Sequence, residues 1–269
     1  PPKKDLYHRW IYQRLNAVIT SSSWVQSEIQ NNFPIEPSRA RRIRYGRPSL
    51  QKSSPVEVLK VKNNLDSDLR KIIFGTACRI DPGKGIKELA LALEKIQPEL
   101  LDKMELWIIG EPTLLKTHPD GTPEYEPKSD ELNHWLIEFQ KKYPKTLKLI
   151  PFQKNLQLYL SAMDVFILAS HGETYSLAVI DAMMLGLPVI GTNSGGTPEQ
   201  ITGGNPGLDN SRGLLVEPHS PLSLAQAIEK LILSPELRKS FSIAAEEWSQ
   251  REHSWEKTIK HMMDLYHEN

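Results

Sequence analysis

The stretch VFILASHGETYSLAVIDAMMLGLPVIGT, residues 165–192, decides the fold of this chain. Its two ends, Val165–Ala169 and Pro188–Thr192, are continuous apolar runs, which is the pattern of strands buried on both faces of a parallel sheet. Between them, residues 176–185 have the apolar spacing of a helix. A strand, a helix and a second strand in this order predict a βαβ unit with parallel strands.

The same alternation continues on both sides of this stretch. Helical stripes of apolar residues, such as Ile86, Leu89 and Leu93, separate the other strand candidates. This alternation predicts an α/β fold with a Rossmann-like, doubly wound parallel sheet, which we expect to occupy residues 71–252. Its further strands are predicted at Ile72–Ala77, Leu106–Ile109, Leu147–Ile150 and Gly213–Val216.

The first part of the chain differs from this pattern. Residues 1–46 carry two helical stripes, a candidate strand at Ala17–Thr20 and another at Ile43–Tyr45. Because so few elements bury too little apolar surface to fold alone, we expect a remnant of a second α/β domain. Residues 47–70 are polar and contain proline, so we expect a linker. The chain lacks an initiator Met, and we expect it to begin inside a longer protein.

Two more segments are distinctive. Residues 253–269 predict a separate amphipathic helix, with Trp255, Ile259 and Met263 at helical spacing. Residues 111–128 contain four prolines and a glycine, so no regular element is expected there. Such a long loop at the carboxyl end of a strand is either a lid over a ligand or a flexible insertion.

Charge and cysteine content exclude several classes of protein. Lys plus Arg and Asp plus Glu each number 33, and this zero net charge argues against a nucleic-acid partner. A single cysteine, Cys78, excludes internal disulfides and multi-cysteine zinc sites, and it suits a reducing compartment. We therefore expect a cytoplasmic protein.

One short segment is rich in arginine. It is either a solvated strand edge or a surface that binds an anionic membrane or an acidic acceptor. Its five arginines are Arg39, Arg41, Arg42, Arg44 and Arg47.

The loop and helix after Ala169 carry two carboxylates beside a helix start. Glu173 lies in the loop, and Asp181 follows eight positions later on the helix. The first amides of a helix lack intrahelical acceptors and, with the helix dipole, form an anion site suited to phosphate. Carboxylates on both sides of such a site suit a phosphate with a sugar at each end, as in a nucleotide sugar. The alternative is a plain loop carboxylate and a buried polar group of the helix.

Two other strand ends carry candidate ligand-binding motifs. Arg79 and Lys84 follow the strand that ends at Ala77, so both can face the crevice at the carboxyl edge of the sheet. A guanidinium and an ammonium together suit a diphosphate. The glycine-rich segment Thr192–Glu199 either allows close approach of a ligand or forms a tight turn.

In this order, the motifs resemble those of the retaining nucleotide-sugar glycosyltransferases of family four, which have the two-domain GT-B fold. The resemblance implies that this chain is the C-terminal, donor-binding half of a GT-B fold together with the end of its N-terminal domain, on which the last helix packs. The motifs that carry it are Arg79 and Lys84-Gly85, Glu173 and Asp181, Ala182-Met183, Gly186–Val189 and Gly195–Glu199.

The resemblance also implies an activity and its partners. The expected reaction is transfer of a sugar, with retention of configuration, from a nucleoside-diphosphate sugar, and the expected nucleotide is UDP or GDP. No metal and no other cofactor is expected. The acceptor would be a glycan, a lipid-linked molecule or a small molecule, with peripheral membrane contact as one option. The remainder of the N-terminal domain is the expected protein partner.

Residue roles follow from the same resemblance. Arg79 and Lys84 would hold the donor diphosphate and stabilise the leaving group, and Glu173 would contact the donor sugar. Thr174, Tyr175, Ser176 and Leu177 would help to hold sugar and phosphate, and Asp181 would bind the ribose. The chain departs from the family pattern where Asp181 replaces Glu, Ser176 replaces a common Gly, and Cys78 replaces the Gly before Arg79.

Two alternatives stay open at this point. The first is another GT-B enzyme, either a nucleotide-sugar 2-epimerase or a phosphorylase with pyridoxal phosphate, and the second is a nucleotide-sugar-binding module without catalysis. Asp66-Ser-Asp68 matches the D-x-D motif of metal-dependent transferases, but it lies in the polar linker, so a surface turn and no metal are expected. His171 is expected to be structural, and no G-x-G-x-x-G follows a strand, which argues against NAD.

Overall fold

The computed structural model of the chain describes residues 3–203 and 211–268; residues 204–210, inside the predicted main domain, lie outside the described part. The strands are β1 Val18–Thr20, β2 Ala40–Arg42, β3 Ile72–Ala77, β4 Met104–Ile109, β5 Leu114–Thr117, β6 Pro123–Tyr125, β7 Leu147–Ile150, β8 Val165–Leu168, β9 Val189–Thr192 and β10 Gly213–Val216. The α-helices are α1 Leu6–Tyr12, α2 Ser23–Asn32, α3 Pro55–Asn64, α4 Ile86–Ala92, α5 Pro98–Leu101, α6 Pro127–Gln140, α7 Leu156–Ala162, α8 Leu177–Met184, α9 Thr197–Thr202, α10 Pro221–Leu233, α11 Pro235–Glu252 and α12 Trp255–His267.

Six parallel strands form the main sheet, in the order β10-β9-β8-β3-β4-β7. The first strand of this sheet in sequence is β3, near its centre, and β4 and β7 follow on one side of it. The chain then crosses to the other side of β3, where β8, β9 and β10 follow in order. This order confirms the predicted doubly wound α/β fold. The reversal places a topological switch point between β3 and β8, and open α/β sheets bind their ligands outside the strand ends at such a point.

The strand predictions rested on burial on both faces of the sheet, and the structure shows that burial. Every residue of β4, β8 and β9 is buried. One apolar cluster forms around Leu89 on one face, and a second forms around Trp107 and Phe166 on the other. The predicted bounds of β3, β7 and β10 coincide with the observed bounds, whereas β4 begins two residues earlier than expected.

The first residues form a small block beside the main sheet. Strands β1 and β2 pair in parallel, and Ile43 adds one more hydrogen bond, from its amide to the Thr20 carbonyl at 2.9 Å. The predicted strand at Ile43–Tyr45 is therefore wrong by three residues. Ile43 is buried, which explains the apolar signal, but the ladder runs through the more polar residues Ala40–Arg42.

The segment expected to be a linker contains helix α3. Ser54 and Glu57 form a reciprocal capping box, and Pro55 occupies the first helical position, where its missing N–H costs nothing. The proline that suggested a break in regular structure therefore marks the start of a helix. Val61 of α3 is buried in the apolar cluster around Trp107.

The prediction of no regular structure in residues 111–128 is wrong. Strands β5 and β6 form an antiparallel hairpin, although its side chains are largely exposed. Pro123 is the first residue of β6 and Pro127 the first of α6, and both are positions where proline is tolerated.

Within the described residues, no helix is both long and apolar enough to span a membrane.

Candidate functional site

The loops that follow β3 and β8 meet at the switch point and bring Lys84 to Glu173. The Lys84 Nζ atom lies 2.5 Å from Glu173 Oε1, and both side chains are partly buried. A cation and a carboxylate that are 89 positions apart in sequence thus form an ion pair at the edge of the sheet where ligands bind. The sequence predicted both residues for this site, but it did not predict that they pair.

Gly85 allows the two loops to approach so closely. Its φ angle is +64°, and a Cβ atom at this position would lie 2.0 Å from the carbonyl oxygen of Ala169. The His171 amide also donates to the Gly83 carbonyl at 3.0 Å, which fixes one loop against the other. Glycine is required at position 85, because it adopts positive φ without strain and has no Cβ atom to collide with the Ala169 carbonyl.

The glycine-rich segment after β9 supports the loop that carries Glu173. The Gly196 amide donates to the Glu173 carbonyl at 2.8 Å, and a Cβ atom on Gly196 would lie 2.0 Å from the Thr174 carbonyl oxygen. The close approach that these glycines permit in the structure is therefore to the backbone of residues 173–174. Thr174 itself is exposed at the end of this loop.

The start of α8 is organised by a residue that sequence reasoning missed. The buried Gln200 side chain accepts from the Ser176 amide and donates to the Ser176 carbonyl, both at 2.9 Å. Of the amides predicted to hold phosphate, that of Ser176 is thus already engaged. The Leu177 and Ala178 amides have no hydrogen-bond partner in the described part of the chain. Nothing in the local sequence around Gln200 indicated this long-range contact.

The Tyr175 side chain points into a buried polar network. Its hydroxyl lies 3.1 Å from His253 Nε2, and His253 Nδ1 lies 2.8 Å from the Tyr45 carbonyl oxygen. Burial raises the pKa of Tyr175 above its ordinary value and lowers the pKa of His253 to about 4. Tyr175 therefore anchors the loop before α8 in the protein interior.

Asp181, the predicted ribose-binding carboxylate, is ion-paired in this structure. Its two oxygens accept from Nε and one terminal nitrogen of Arg47, both at 2.6 Å. Such a bidentate pair uses the planar geometry of both groups. Arg47 belongs to the segment expected to be a linker. The sequence did not predict this ion pair, because the two residues are 134 positions apart.

Arg79 lies apart from the Lys84–Glu173 pair, at the rim of a cavity. The cavity has a volume of about 380 Å³ and opens beyond the carboxyl ends of β3 and β4. Arg79 is exposed, whereas burial raises the pKa of the neighbouring Cys78 thiol to about 11. Neither Lys84 nor Glu173 is among the residues that line this cavity. The cavity is lined mainly by apolar groups, among them Ala77, Ile109, Pro112, Phe152 and Leu156.

The arginine-rich segment makes ion pairs within the chain. Glu199 accepts from Arg42 at 3.0 Å, from Arg44 at 3.1 Å and from the Ser23 amide at 2.7 Å. Arg44 also pairs with Glu252 at 2.9 Å. Glu199, the last residue of the glycine-rich motif, therefore joins the first block of the chain to the main sheet domain. The sequence did not indicate this role.

A doubly wound sheet that gathers a cation, a carboxylate and an open helix start at its switch point is typical of domains that bind phosphorylated ligands. Comparison with known families specifies the class further. Residues 58–248 match the family described as Glycosyl transferases group 1, and the chain belongs to this family.

Curated relatives align with much of this chain but are considerably longer. The D-inositol 3-phosphate glycosyltransferase of Saccharomonospora viridis is 35% identical over 202 residues, which cover 73% of this chain and 43% of that protein. The alpha-maltose-1-phosphate synthase of Mycolicibacterium smegmatis is 23% identical over 261 residues, covering 96% of this chain and 64% of the relative. The chain therefore spans about half the length of these relatives.

Solved structures share the fold. HepE of Anabaena in complex with UDP-glucose superposes with a TM-score of 0.78 at 17% identity, covering 94% of this chain and 64% of that one. The sucrose-phosphate synthase of Thermosynechococcus elongatus gives a TM-score of 0.76 at 22% identity, with 97% and 60% covered. The structural neighbours are GT-B glycosyltransferases, as the sequence motifs predicted.

Proposed function

We propose that this chain is the donor-binding part of a retaining, metal-independent glycosyltransferase that uses a nucleoside-diphosphate sugar. The observation that carries the proposal is the Lys84–Glu173 pair at the switch point, beside the open amides of Leu177 and Ala178. Membership of the glycosyl transferases group 1 family supports the reaction class. The UDP-glucose complex of the Anabaena neighbour supports the class of donor.

The donor diphosphate would lie between the start of α8 and the two cations. Lys84 would turn from Glu173 to the phosphate, which would free the Glu173 carboxylate to accept hydrogen bonds from the donor sugar. As the bond between sugar and phosphate breaks, negative charge grows on the departing phosphate oxygen, and Lys84 and Arg79 would stabilise it. These cations supply the positive charge for which other transferases use a metal. The resemblance to family four supports retention of configuration.

The nucleoside would be bound by two groups of the site, one for its base and one for its ribose. The cavity of about 380 Å³ at Arg79 has apolar walls that suit the faces of a planar base. Asp181 would bind the ribose hydroxyls after Arg47 releases it. UDP and GDP are the nucleotides we propose to test first.

The rest of the parent protein would complete the enzyme. We propose that residues of a longer N-terminal domain bind the acceptor, which is a glycan, a lipid-linked molecule or a small molecule. A reducing, cytoplasmic location is proposed from the single cysteine, Cys78, and we propose the inner membrane face as the place of any peripheral contact.

Transfer by the full-length parent protein tests the proposal. We expect transfer from a radiolabelled UDP- or GDP-sugar in the presence of EDTA, and a product whose anomeric configuration, determined by NMR, equals that of the donor. Inversion would refute the retaining mechanism, and loss of activity in EDTA that Mg²⁺ restores would refute metal independence. Donor binding without transfer or hydrolysis by the parent would favour a non-catalytic binding module.

A further inference from the structure

Glu88, His171 and His219 form a cluster of metal-ligand side chains beside the loop that carries Glu173. Glu88 lies in the first turn of α4, His171 follows β8, and His219 lies in the turn between β10 and α10. One ligand atom from each residue can be chosen so that all three lie within 4.8 Å of one another. Among the described residues, this is the one such group of histidine, cysteine, aspartate or glutamate side chains.

The His171 imidazole is not satisfied by the protein around it. Its Nε2 atom is shielded from solvent and has no hydrogen-bond partner. Glu88 Oε1 lies 3.3 Å away, but outside the geometry of a hydrogen bond. A shielded imidazole nitrogen without a partner is costly, and native structures usually compensate such groups with a ligand, a water or an ion. The Glu88 carboxylate is the nearest ion-pair partner that the described residues offer to this nitrogen.

The three groups are spaced closely enough to converge on one ion. A tetrahedral Zn²⁺ with bonds of about 2.0–2.2 Å to nitrogen and oxygen holds its ligands roughly 3.3–3.6 Å apart. Glu88 Oε1 lies 3.3 Å from His171 Nε2 and 3.9 Å from His219 Nδ1, so the first pair has this spacing and the His219 ring would have to move closer to bind the same ion. The centroids of the two imidazole rings lie 3.7 Å apart. Neutral imidazoles are the form that binds metals.

The backbone holds two of the ligands in place before any ion arrives. The His171 amide donates to the Gly83 carbonyl, and its carbonyl accepts from the Ser194 hydroxyl at 2.8 Å. His219 has a φ angle of +58°, a left-handed conformation that is uncommon for residues other than glycine and that costs energy. With the backbone in this conformation, the His219 ring packs against the ring of His171.

We propose that Glu88, His171 and His219 bind a divalent transition-metal ion of the Zn²⁺ class. Two imidazole nitrogens and one carboxylate oxygen favour Zn²⁺ and its neighbours over Mg²⁺ or Ca²⁺, which prefer oxygen ligands. Three protein ligands leave one position open. The ion ties the loop that carries Glu173 to α4 and to the turn before α10. Because neither Lys84 nor Glu173 is a ligand, the site is separate from the proposed transfer chemistry.

Titration of the protein with ZnCl₂ tests this site without an activity assay. With any affinity tag removed, calorimetry should show one Zn²⁺ per chain and a rise in melting temperature that MgCl₂ does not produce. The variants H219A and E88Q should each weaken Zn²⁺ binding at least about tenfold, since each removes a ligand. The matched control is H118A, which removes a half-buried histidine between β5 and β6 that pairs with Glu124, and it should bind Zn²⁺ like the wild type.

Substitution with Co²⁺ provides a second measurement that does not depend on stability. A Co²⁺ ion bound by imidazole nitrogen should give visible d–d absorption that H219A abolishes and H118A retains. The proposal is overturned if the wild type binds no Zn²⁺ at one equivalent, or if H219A and E88Q bind Zn²⁺ and Co²⁺ as the wild type does. The nucleotide-binding proposal is unaffected by either result, because its ligands are different residues.

Discussion

At the scale of single residues, two carboxylates of the site have different partners, and this difference predicts different roles. Glu173 pairs with a cation that is itself a candidate diphosphate ligand, whereas Asp181 pairs with Arg47 from outside the predicted motifs. In both pairs each side chain keeps some exposure to solvent, so a ligand can reach it and replace its partner. The two carboxylates can therefore be tested separately.

Replacing Glu173 should separate the sugar from the nucleotide. In the variant Glu173→Gln, we expect binding of UDP or GDP within about twofold of the wild type, because the diphosphate is held by cations and helix amides. The nucleotide sugar should no longer bind more tightly than the plain nucleotide. Transfer by the full-length parent should fall by at least about a hundredfold, the scale on which single electrostatic groups act in catalysis. Calorimetry with both ligands checks this. Equal losses for nucleotide and nucleotide sugar would contradict the assigned role.

Replacing Arg47 and Asp181 should have opposite effects. Asp181→Ala removes the proposed ribose ligand and should weaken nucleotide binding by roughly 1.5–3 kcal/mol, the range for a hydrogen bond to a charged group. Arg47→Ala frees Asp181 and should leave nucleotide affinity unchanged or improve it. Calorimetric titration of both variants gives the comparison. If Arg47→Ala weakens binding as much as Asp181→Ala, the ion pair is structural and Asp181 is not available to the ligand.

At the scale of elements, the sequence predicted those features that follow from local burial and missed those that depend on distant partners. Strands β3, β7 and β10 were located to the residue because buried parallel strands are continuous apolar runs. The β5–β6 hairpin was missed because its exposed residues leave no such pattern. The contacts of Gln200 with Ser176 and of Arg47 with Asp181 join residues 24 and 134 positions apart, and no local signal encodes them.

The contact between the β3 and β8 loops gives a prediction with an internal control. Gly85→Ala and Gly121→Ala both place a side chain at positive φ, with a cost of about 1 kcal/mol each. Only Gly85→Ala also forces a Cβ atom onto the Ala169 carbonyl, because nothing lies within 4 Å of a Cβ atom at Gly121. We expect Gly85→Ala to be clearly less stable in urea unfolding and to bind nucleotide weakly. Equal stabilities would show that the loops do not approach as described.

At the scale of the whole molecule, the buried His253 predicts how stability depends on pH. Its pKa is lowered from 6.5 to about 4, chiefly by burial, so the folded protein takes up this proton less readily than the unfolded chain. Stability should therefore be constant above about pH 6.5 and fall towards pH 4, by on the order of 3 kcal/mol for this group. The nearby Glu252, whose pKa is lowered to about 2, loses its contribution only below its ordinary value of 4.5.

Urea unfolding at pH 7.5, 6 and 5 measures this dependence. His253→Gln should be less stable at pH 7.5, because it disturbs the contacts with Tyr45 and Tyr175, but its stability should change little between pH 7.5 and pH 5. If His253→Gln loses as much stability between pH 7.5 and pH 5 as the wild type does, groups other than His253 cause the pH dependence.

The chain spans only part of the length of its relatives, and this predicts donor binding without turnover. Its relatives are about one and a half to one and three-quarter times as long, and a two-domain transferase needs both halves closed around its substrates. A radiolabelled-donor assay should therefore detect transfer by the full-length parent and none by this chain. Turnover by this chain at rates near those of the parent would place the whole active site within these 269 residues.

Nucleotide titration of the wild type and of one charge variant tests the central claim most directly, namely that the Lys84–Glu173 site binds a nucleoside diphosphate. We predict that calorimetry with UDP, GDP and ADP finds at least one nucleotide that binds one per chain, and that Lys84→Ala weakens it about tenfold to a hundredfold. The control Lys87→Ala, which changes a lysine that lies over the Trp135 ring, should bind like the wild type. Absence of binding for all three nucleotides, or equal affinity in the wild type and Lys84→Ala, would contradict the account.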